Sequence, residues 1–512
     1  MRAPWWRTGV FYQIYPRSFC DTTGDGVGDL EGIRRRLDHV AWLGVDALWL
    51  SPFYRSPMAD FGYDVADHCD VDPLFGTLAD VDRLLAEAHE RGLRVIVDWV
   101  PNHTSDQHPW FQASRSSRSD PKRDWYVWRD SPEDAPSEPP NNWVRAFGEG
   151  PAWTWDEATQ QWYLHLFLPQ QPDLNWADPQ VQAAQHDVLR FWLDRGVDGF
   201  RADVVHLIGK DPALPDDPPE REGISRVGFH DEPRTHGLLR DIRTTLESYE
   251  GERTMVGEVN LSDTAALMRY YGEGDELPLV FDFTLLHAPW SARAWREVID
   301  EVERHATGPH RWPTWVLSNH DEPRHRTRHG GDERIARAAA VLLLTLRGTP
   351  FLYAGEELGL EDAEVPPEAA VDPGGRDGCR APIPWTDAPG HGWAGGERPW
   401  LPWPPEASER SAAAQYADAD AIVHRYRALL AARRASPALR LGDLAWLHAP
   451  DGVLAFRRRL GGDERLVIAS FVDAEREVAV PGARTVEVAS DGVGEGDAFA
   501  GTLRPLQALL LR

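Results

Sequence analysis

The chain has 512 residues, 42% of them hydrophobic, which suffices for a sizeable core and for more than one domain. Its 82 acidic against 54 basic side chains give a formal charge of −28, which repels a phosphate backbone and argues against a nucleic-acid partner. Three scattered cysteines (Cys20, Cys69, Cys379) make no disulfide framework, no apolar run reaches ~18 residues, and MRAPWWRTGV lacks the apolar stretch of a signal peptide, so a cytoplasmic protein without membrane contact is expected.

Strand and helix signals alternate along most of the chain, the pattern of a parallel sheet with crossover helices. The predicted strands are VFYQIY (10–15), ALWLSPF (47–53), LRVIVDWV (93–100), GFRADVV (199–205), TMVGEVN (254–260), LVFDF (279–283), TWVLSNH (314–320) and TPFLYAG (349–355). Most are unbroken apolar runs, as strands buried on both faces require. Helical patterns fall at 29–44, 77–91, 179–196, 234–249, 262–271, 290–306, 332–347 and 422–436, with Thr77 and Asp178-Pro179 as start signals. Eight strands with intervening helices predict a (β/α)8 barrel spanning residues 1–102 and 176–437. Residues 103–175, rich in Trp, Pro, Asp and Ser, are too long for a βα loop and predict an inserted domain at the catalytic face. From 438 to 512, short strands with Gly and Asp turns predict a C-terminal antiparallel β-sandwich.

Four strings at the ends of these runs carry the chemistry: DWVPNH (98–103), GFRAD (199–203), VGEV (256–259) and SNHDEPR (318–324). They deliver Asp203, Glu258 and Asp321 with His103, Arg201 and His320 to the strand C-termini, the face on which such barrels place their active sites. Acids converging beside Arg and His suit glycosidic cleavage, which needs one proton donor and one carboxylate able to meet an oxocarbenium-like centre. The 23 tryptophans fit sugar stacking and buried packing equally well. In DTTGDGVGD (21–29), Asp21, Thr23, Asp25, the Val27 carbonyl and Asp29 fall at alternate positions with Gly26 between them, the oxygen-donor spacing of an EF-hand-type loop without its terminal Glu.

In their order and strand positions the four strings resemble glycoside hydrolase family 13, the α-amylase family, and its α-glucosidase and oligo-1,6-glucosidase branch. The resemblance extends over essentially the whole chain. It implies that Asp203 is the nucleophile, Glu258 the general acid and then base, and Asp321 the holder of sugar hydroxyls that steadies the transition state. Arg201 would keep Asp203 ionised, and His103 and His320 would hydrogen-bond the same ring. DFGYD (60–64) resembles the family segment in which Asp60 binds the terminal glucose and Tyr63 stacks beneath it. YLHLFLPQQPDLNW (163–176) resembles the QPDLN signature of exo-acting members, with Phe167 walling the cleft. GRDGCRAPIPW (375–385) resembles the α-glucosidase RDxxRTPMQW loop, with Arg376 the first candidate to clamp the sugar and Arg380 the second.

The resemblance also implies a structural calcium in the 21–29 loop, with magnesium as the alternative, and no organic cofactor. The expected activity is release of terminal glucose from a small oligosaccharide by a monomer or weak homo-oligomer. An oligo-1,6-glucosidase or α-transglucosylase is the alternative, and Val204 after the nucleophile leaves α-1,4 and α-1,6 linkages both open.

Overall fold

In the computed structural model, which describes residues 3–132, 137–395 and 398–512, the eight predicted runs form one sheet. Its strands are β1 (Phe11–Ile14), β2 (Ala47–Leu50), β3 (Arg94–Trp99), β4 (Gly199–Ala202), β5 (Thr254–Gly257), β6 (Leu279–Val280), β7 (Thr314–Val316) and β8 (Thr349–Tyr353). Hydrogen-bonded neighbours follow the order β6-β5-β4-β3-β2-β1-β8-β7, all parallel. The seam between β6 and β7 is bridged by a side chain: the Thr314 hydroxyl donates to the Val280 carbonyl at 2.7 Å and accepts from the Asp282 N–H at 3.1 Å.

Inside the barrel Phe11, Ala47, Trp49, Ile96, Val256, Leu279, Val316 and Phe351 pack as one apolar cluster with Phe281. The opposite faces of the same strands pack on the helices. Parallel pairing places Asp98 of β3 beside Arg201 of β4, and Arg201 beside Val256 of β5. The barrel is therefore apolar through its middle and charged at the C-terminal ends of β3 and β4.

The helix starts follow their sequence signals. Thr77 and Asp80 close a capping box ahead of Leu78–Glu90, and the Asp178 carboxylate accepts from Gln180 N–H ahead of Pro179–Asp194. The stretch 29–44 is two helices, Leu30–Arg35 and Leu37–Leu43, broken at Arg36, whose guanidinium packs over the Trp385 ring at 4.5 Å. The stretch 262–271 holds only Thr264–Leu267 and a following 3-10 turn, stopped at Gly272 with φ of 56°.

Between β3 and β4 the chain forms a helix, Pro109–Ser116, and a three-stranded antiparallel sheet of Trp128–Arg129, Gln161–Leu164 and Trp153–Asp156. It leaves and returns at one place, where His103 bridges Asp173 and Leu174 N–H donates to the Asn102 carbonyl at 2.9 Å. Trp125, Trp128, Trp143, Trp153 and Trp176 are buried within and beneath this insertion. Trp143 and Trp153 also spend their indole N–H groups on Pro215 and Asn141.

At the C-terminus, β9 (Asp443–Trp446), β10 (Val453–Leu460), β11 (Asp463–Ser470), β12 (Val486–Ala489) and β13 (Ala508–Leu511) form a five-stranded antiparallel sheet in the order β9-β10-β11-β13-β12. Strand β9 is not evident in the sequence pattern, and Arg476–Glu477 forms a two-stranded antiparallel pair with Thr502–Leu503. Among the described residues no helix is long and apolar enough to cross a membrane.

Candidate active site

Arg201 organises the C-terminal face of the barrel. One terminal nitrogen, Nη1, donates to Asp98 and to Asp203, each at 2.7 Å, and the other, Nη2, donates to Glu258 at 2.6 Å. Its side chain is 2% exposed, so the guanidinium interacts with all three acids in a poorly screened interior. Asp98 is fixed further by the Trp49 indole N–H at 2.8 Å. Glu258 accepts from the Val204 N–H at 3.0 Å and from Asn260 at 3.1 Å.

Three carboxyls around one guanidinium cannot all ionise cheaply. Burial pushes Asp98 up to about 6, against the pull of Arg201. Burial also raises Asp203, with Glu258 and Asp98 adding to the rise and Arg201 opposing it. The turn after Asp203 is strained: Val204 has φ of 34° and ψ of 41°, a left-handed conformation that β-branched residues avoid. That conformation aims its N–H at Glu258.

A second charged group faces the first. Arg376 donates to Asp60 at 2.6 Å and to Asp321 at 2.9 Å, while Asp372 holds its Nε at 2.8 Å. Arg380 reaches Asp321 at 3.2 Å, Asp372 at 3.1 Å and the His320 carbonyl at 2.8 Å. Burial works against ionisation of Asp321, yet the guanidinium groups of Arg376 and Arg380 hold it well below the usual carboxylate range. Asp60 is raised by burial, opposed by the same two arginines. His320 is clamped between Gln13, at 2.7 Å from Nδ1, and the Tyr63 hydroxyl, and burial lowers it to about 3, so it is neutral. The Tyr63 and His320 rings are parallel, 5.4 Å apart.

Both groups line a single cavity of about 730 Å³ together with Tyr63, His103 and Phe167. Of the residues singled out in the sequence, Asp203, Glu258, Asp321, Asp60, Tyr63, His103, Phe167 and Arg376 are on its wall, while Arg201 and His320 stand behind it as supports. Burial lowers His103 to about 4, and Gln171 joins it to Asp60. Several residues were not anticipated. Asp98 and Gln171 both lie inside quoted strings, but the position of Asp98 depends on the β3–β4 register and that of Gln171 on the return of the insertion; Asp372 carries no local signal; Phe147, from the insertion, lies under the Arg376 guanidinium at 4.7 Å. Among the described residues no tryptophan lines the cavity, and Trp125, Trp128, Trp143, Trp153 and Trp176 serve packing.

The 21–29 loop is closed by its own hydrogen bonds. Asp21 accepts from the N–H groups of Thr23, Gly24 and Gly26; Asp25 accepts from Val27; Asp29 accepts from Thr22 and caps the next helix at Gly32. Its oxygen donors suit a hard cation. However, among the described residues no three His, Cys, Asp or Glu side chains converge as a metal cluster. No chemical step is assigned to this loop.

The chain's similarities agree with this geometry. The family described as "Alpha amylase, catalytic domain" matches residues 13–442. A probable α-glucosidase of Rhizobium meliloti (strain 1021) is 44% identical, over 93% of this chain and 91% of its own. An oligo-1,6-glucosidase of Parageobacillus thermoglucosidasius is 36% identical, over 92% and 91%. The crystal structure of the α-glucosyl transfer enzyme XgtA superposes with a TM-score of 0.92 at 42% identity, covering all of both chains. With its barrel, its acid cluster and these relatives, the chain belongs to the α-amylase family of glycoside hydrolases.

Proposed function

We propose that this enzyme is a retaining exo-α-glucosidase that releases terminal glucose from short, maltose-type α-glucosides. The observation that carries the reading is the pairing of two charged groups across one cavity: Asp203 and Glu258 on Arg201, facing Asp60 and Asp321 on Arg376. Two acids on the terminal nitrogens of one guanidinium sit close, which supports a retaining pair separated by ~5–5.5 Å rather than an inverting one. The Arg376–Asp60–Asp321 bridge offers a fixed array of donors and acceptors for the hydroxyls of one terminal sugar.

In the first step Asp203 attacks the anomeric carbon as Glu258 passes its proton to the glycosidic oxygen. The C–O bond to the aglycone breaks and a covalent glucosyl ester forms. Glu258, now ionised, takes a proton from water; the water oxygen bonds to the same carbon and Asp203 leaves as carboxylate. Two inversions give net retention. Asp321, held ionised by its cationic neighbours, stabilises positive charge developing on the ring.

A second reading, oligo-1,6-glucosidase or α-transglucosylase, is favoured by Val204 on the cavity wall and by the names of the relatives. Assays of maltose, isomaltose, sucrose, trehalose and starch, with products resolved at high sugar concentration, separate the readings. Maltose is expected to be used far better than starch; rapid internal cleavage of starch would overturn the exo assignment. Calcium in the 21–29 loop is proposed on its oxygen spacing alone, and a cytoplasmic location on the three free cysteines.

A further inference from the structure

Outside the two charged groups lies a buried lysine for which the catalytic steps have no use. Lys210 follows β4 in the loop beyond the nucleophile, and its side chain is 7% exposed. Its ammonium reaches three oxygens from three segments: Asn102 Oδ1 at 2.9 Å, at the end of the β3 string; Asp173 Oδ2 at 3.0 Å, where the insertion returns; and the Leu207 carbonyl at 3.0 Å. Two of its protons are thereby placed, on Asn102 and Leu207, and Asp173 meets the ammonium as an ion pair. Asp173 is fully buried, and Lys210 is the basic side chain paired with it.

Each of these contacts leads to the sugar pocket. With the Asn102 oxygen taken by the ammonium, the amide nitrogen turns to His103 Nδ1 at 3.2 Å. Asp173 belongs to the short segment that carries Gln171, whose side chain donates to Asp60 at 3.0 Å and lies 3.2 Å from His103 Nε2. The other Asp173 oxygen accepts from Leu166 N–H, next to Phe167. His103, Asp60 and Phe167 all line the cavity.

We infer that Lys210 is a positioning residue for the terminal-sugar pocket, a latch that joins the insertion to the ends of β3 and β4 and sets the placement of His103, Gln171 and Asp60. It touches no substrate. The inference rests on the α-glucosidase reading, because its consequence is weaker binding of the terminal sugar. Loss of the ammonium alone leaves Asp173 as a buried charge without its partner, which destabilises strongly. A double substitution that removes both charges distinguishes positioning from simple charge compensation.

The test compares wild type, Lys210→Met, and Lys210→Met with Asp173→Asn, using thermal melting and hydrolysis of an aryl α-glucoside. The single variant is expected to melt lower. The double variant is expected to melt close to wild type, yet to keep a KM raised about tenfold with kcat changed much less, because the Asn102 amide is still released. Wild-type KM in the folded double variant would overturn the inference and reduce Lys210 to a counter-ion for Asp173. Inactivity of the wild type on the α-glucoside would instead count against the function on which the inference stands, and the inference would fall with it.

Discussion

Asp98 and Arg201 are register partners across β3 and β4, and their 2.7 Å ion pair is the fixed point around which Asp203 and Glu258 are arranged. The guanidinium comes from the strand interior and is held by three acids, which fixes its position. The two acids thus keep their separation, and the site is preorganised before substrate arrives.

Removing either reacting acid isolates the chemistry. Glu258→Gln is expected to lower kcat on maltose by ~10²–10⁴-fold, and Asp203→Asn by about 10⁴-fold or more. Both should melt near the wild-type temperature. Asp203→Gly should be rescued by azide, yielding β-glucosyl azide. Near-normal turnover in either point variant would reassign the roles.

Stereochemistry gives an independent check. Proton NMR of fresh product should show α-glucose first, with the β anomer appearing only by mutarotation. Prompt β-glucose would indicate an inverting pair with a wider gap between the carboxyls.

Arg201 supports the fold as well as the chemistry. Arg201→Gln leaves three buried carboxyls without their cation and should cost about 3–5 kcal/mol in urea unfolding. Adding Asp98→Asn should recover part of that loss. An additive or worsened double variant would show that Asp98 is not the partner Arg201 compensates.

A pH dependence follows from a group behind the site. Glu356, just after β8, is buried, and burial raises it from 4.5 to about 8, with Glu357 adding to the rise. A carboxyl that holds its proton more tightly when folded contributes stability that is full below its unfolded value and lost as pH rises through its folded value. The melting temperature should therefore fall between about pH 4.5 and 8 by an amount that Glu356→Gln removes. Parallel melting-versus-pH curves for the two proteins would contradict this.

If calcium binds the 21–29 loop, chelator should lower the melting temperature more than it lowers activity at 25 °C, since a ligand held only by the folded state stabilises it by mass action. Unchanged melting, with no metal in the purified protein, would remove the calcium.

The amino-acid sequence by itself determined the barrel strands and the acids that end them, because both are local. Eight apolar runs each announce a strand buried on two faces, and Asp203, Glu258 and Asp321 each end such a run within a few recognisable residues. What surrounds those groups was decided only by tertiary structure. Asp98 becomes a third acid on Arg201 through the β3–β4 register, and Asp372 is at the centre of the Arg376–Arg380 clamp without any periodic signal of its own. Gln171 and Phe147 reach the pocket because the insertion folds back over the barrel mouth. The tryptophans show the same division: composition left sugar stacking and packing equal, and burial in and under the insertion assigned Trp125, Trp128, Trp143, Trp153 and Trp176 to packing. Side-chain identity encodes what a residue is able to do, but a pKa or a shared cation depends on which distant segments the fold brings within a few ångströms.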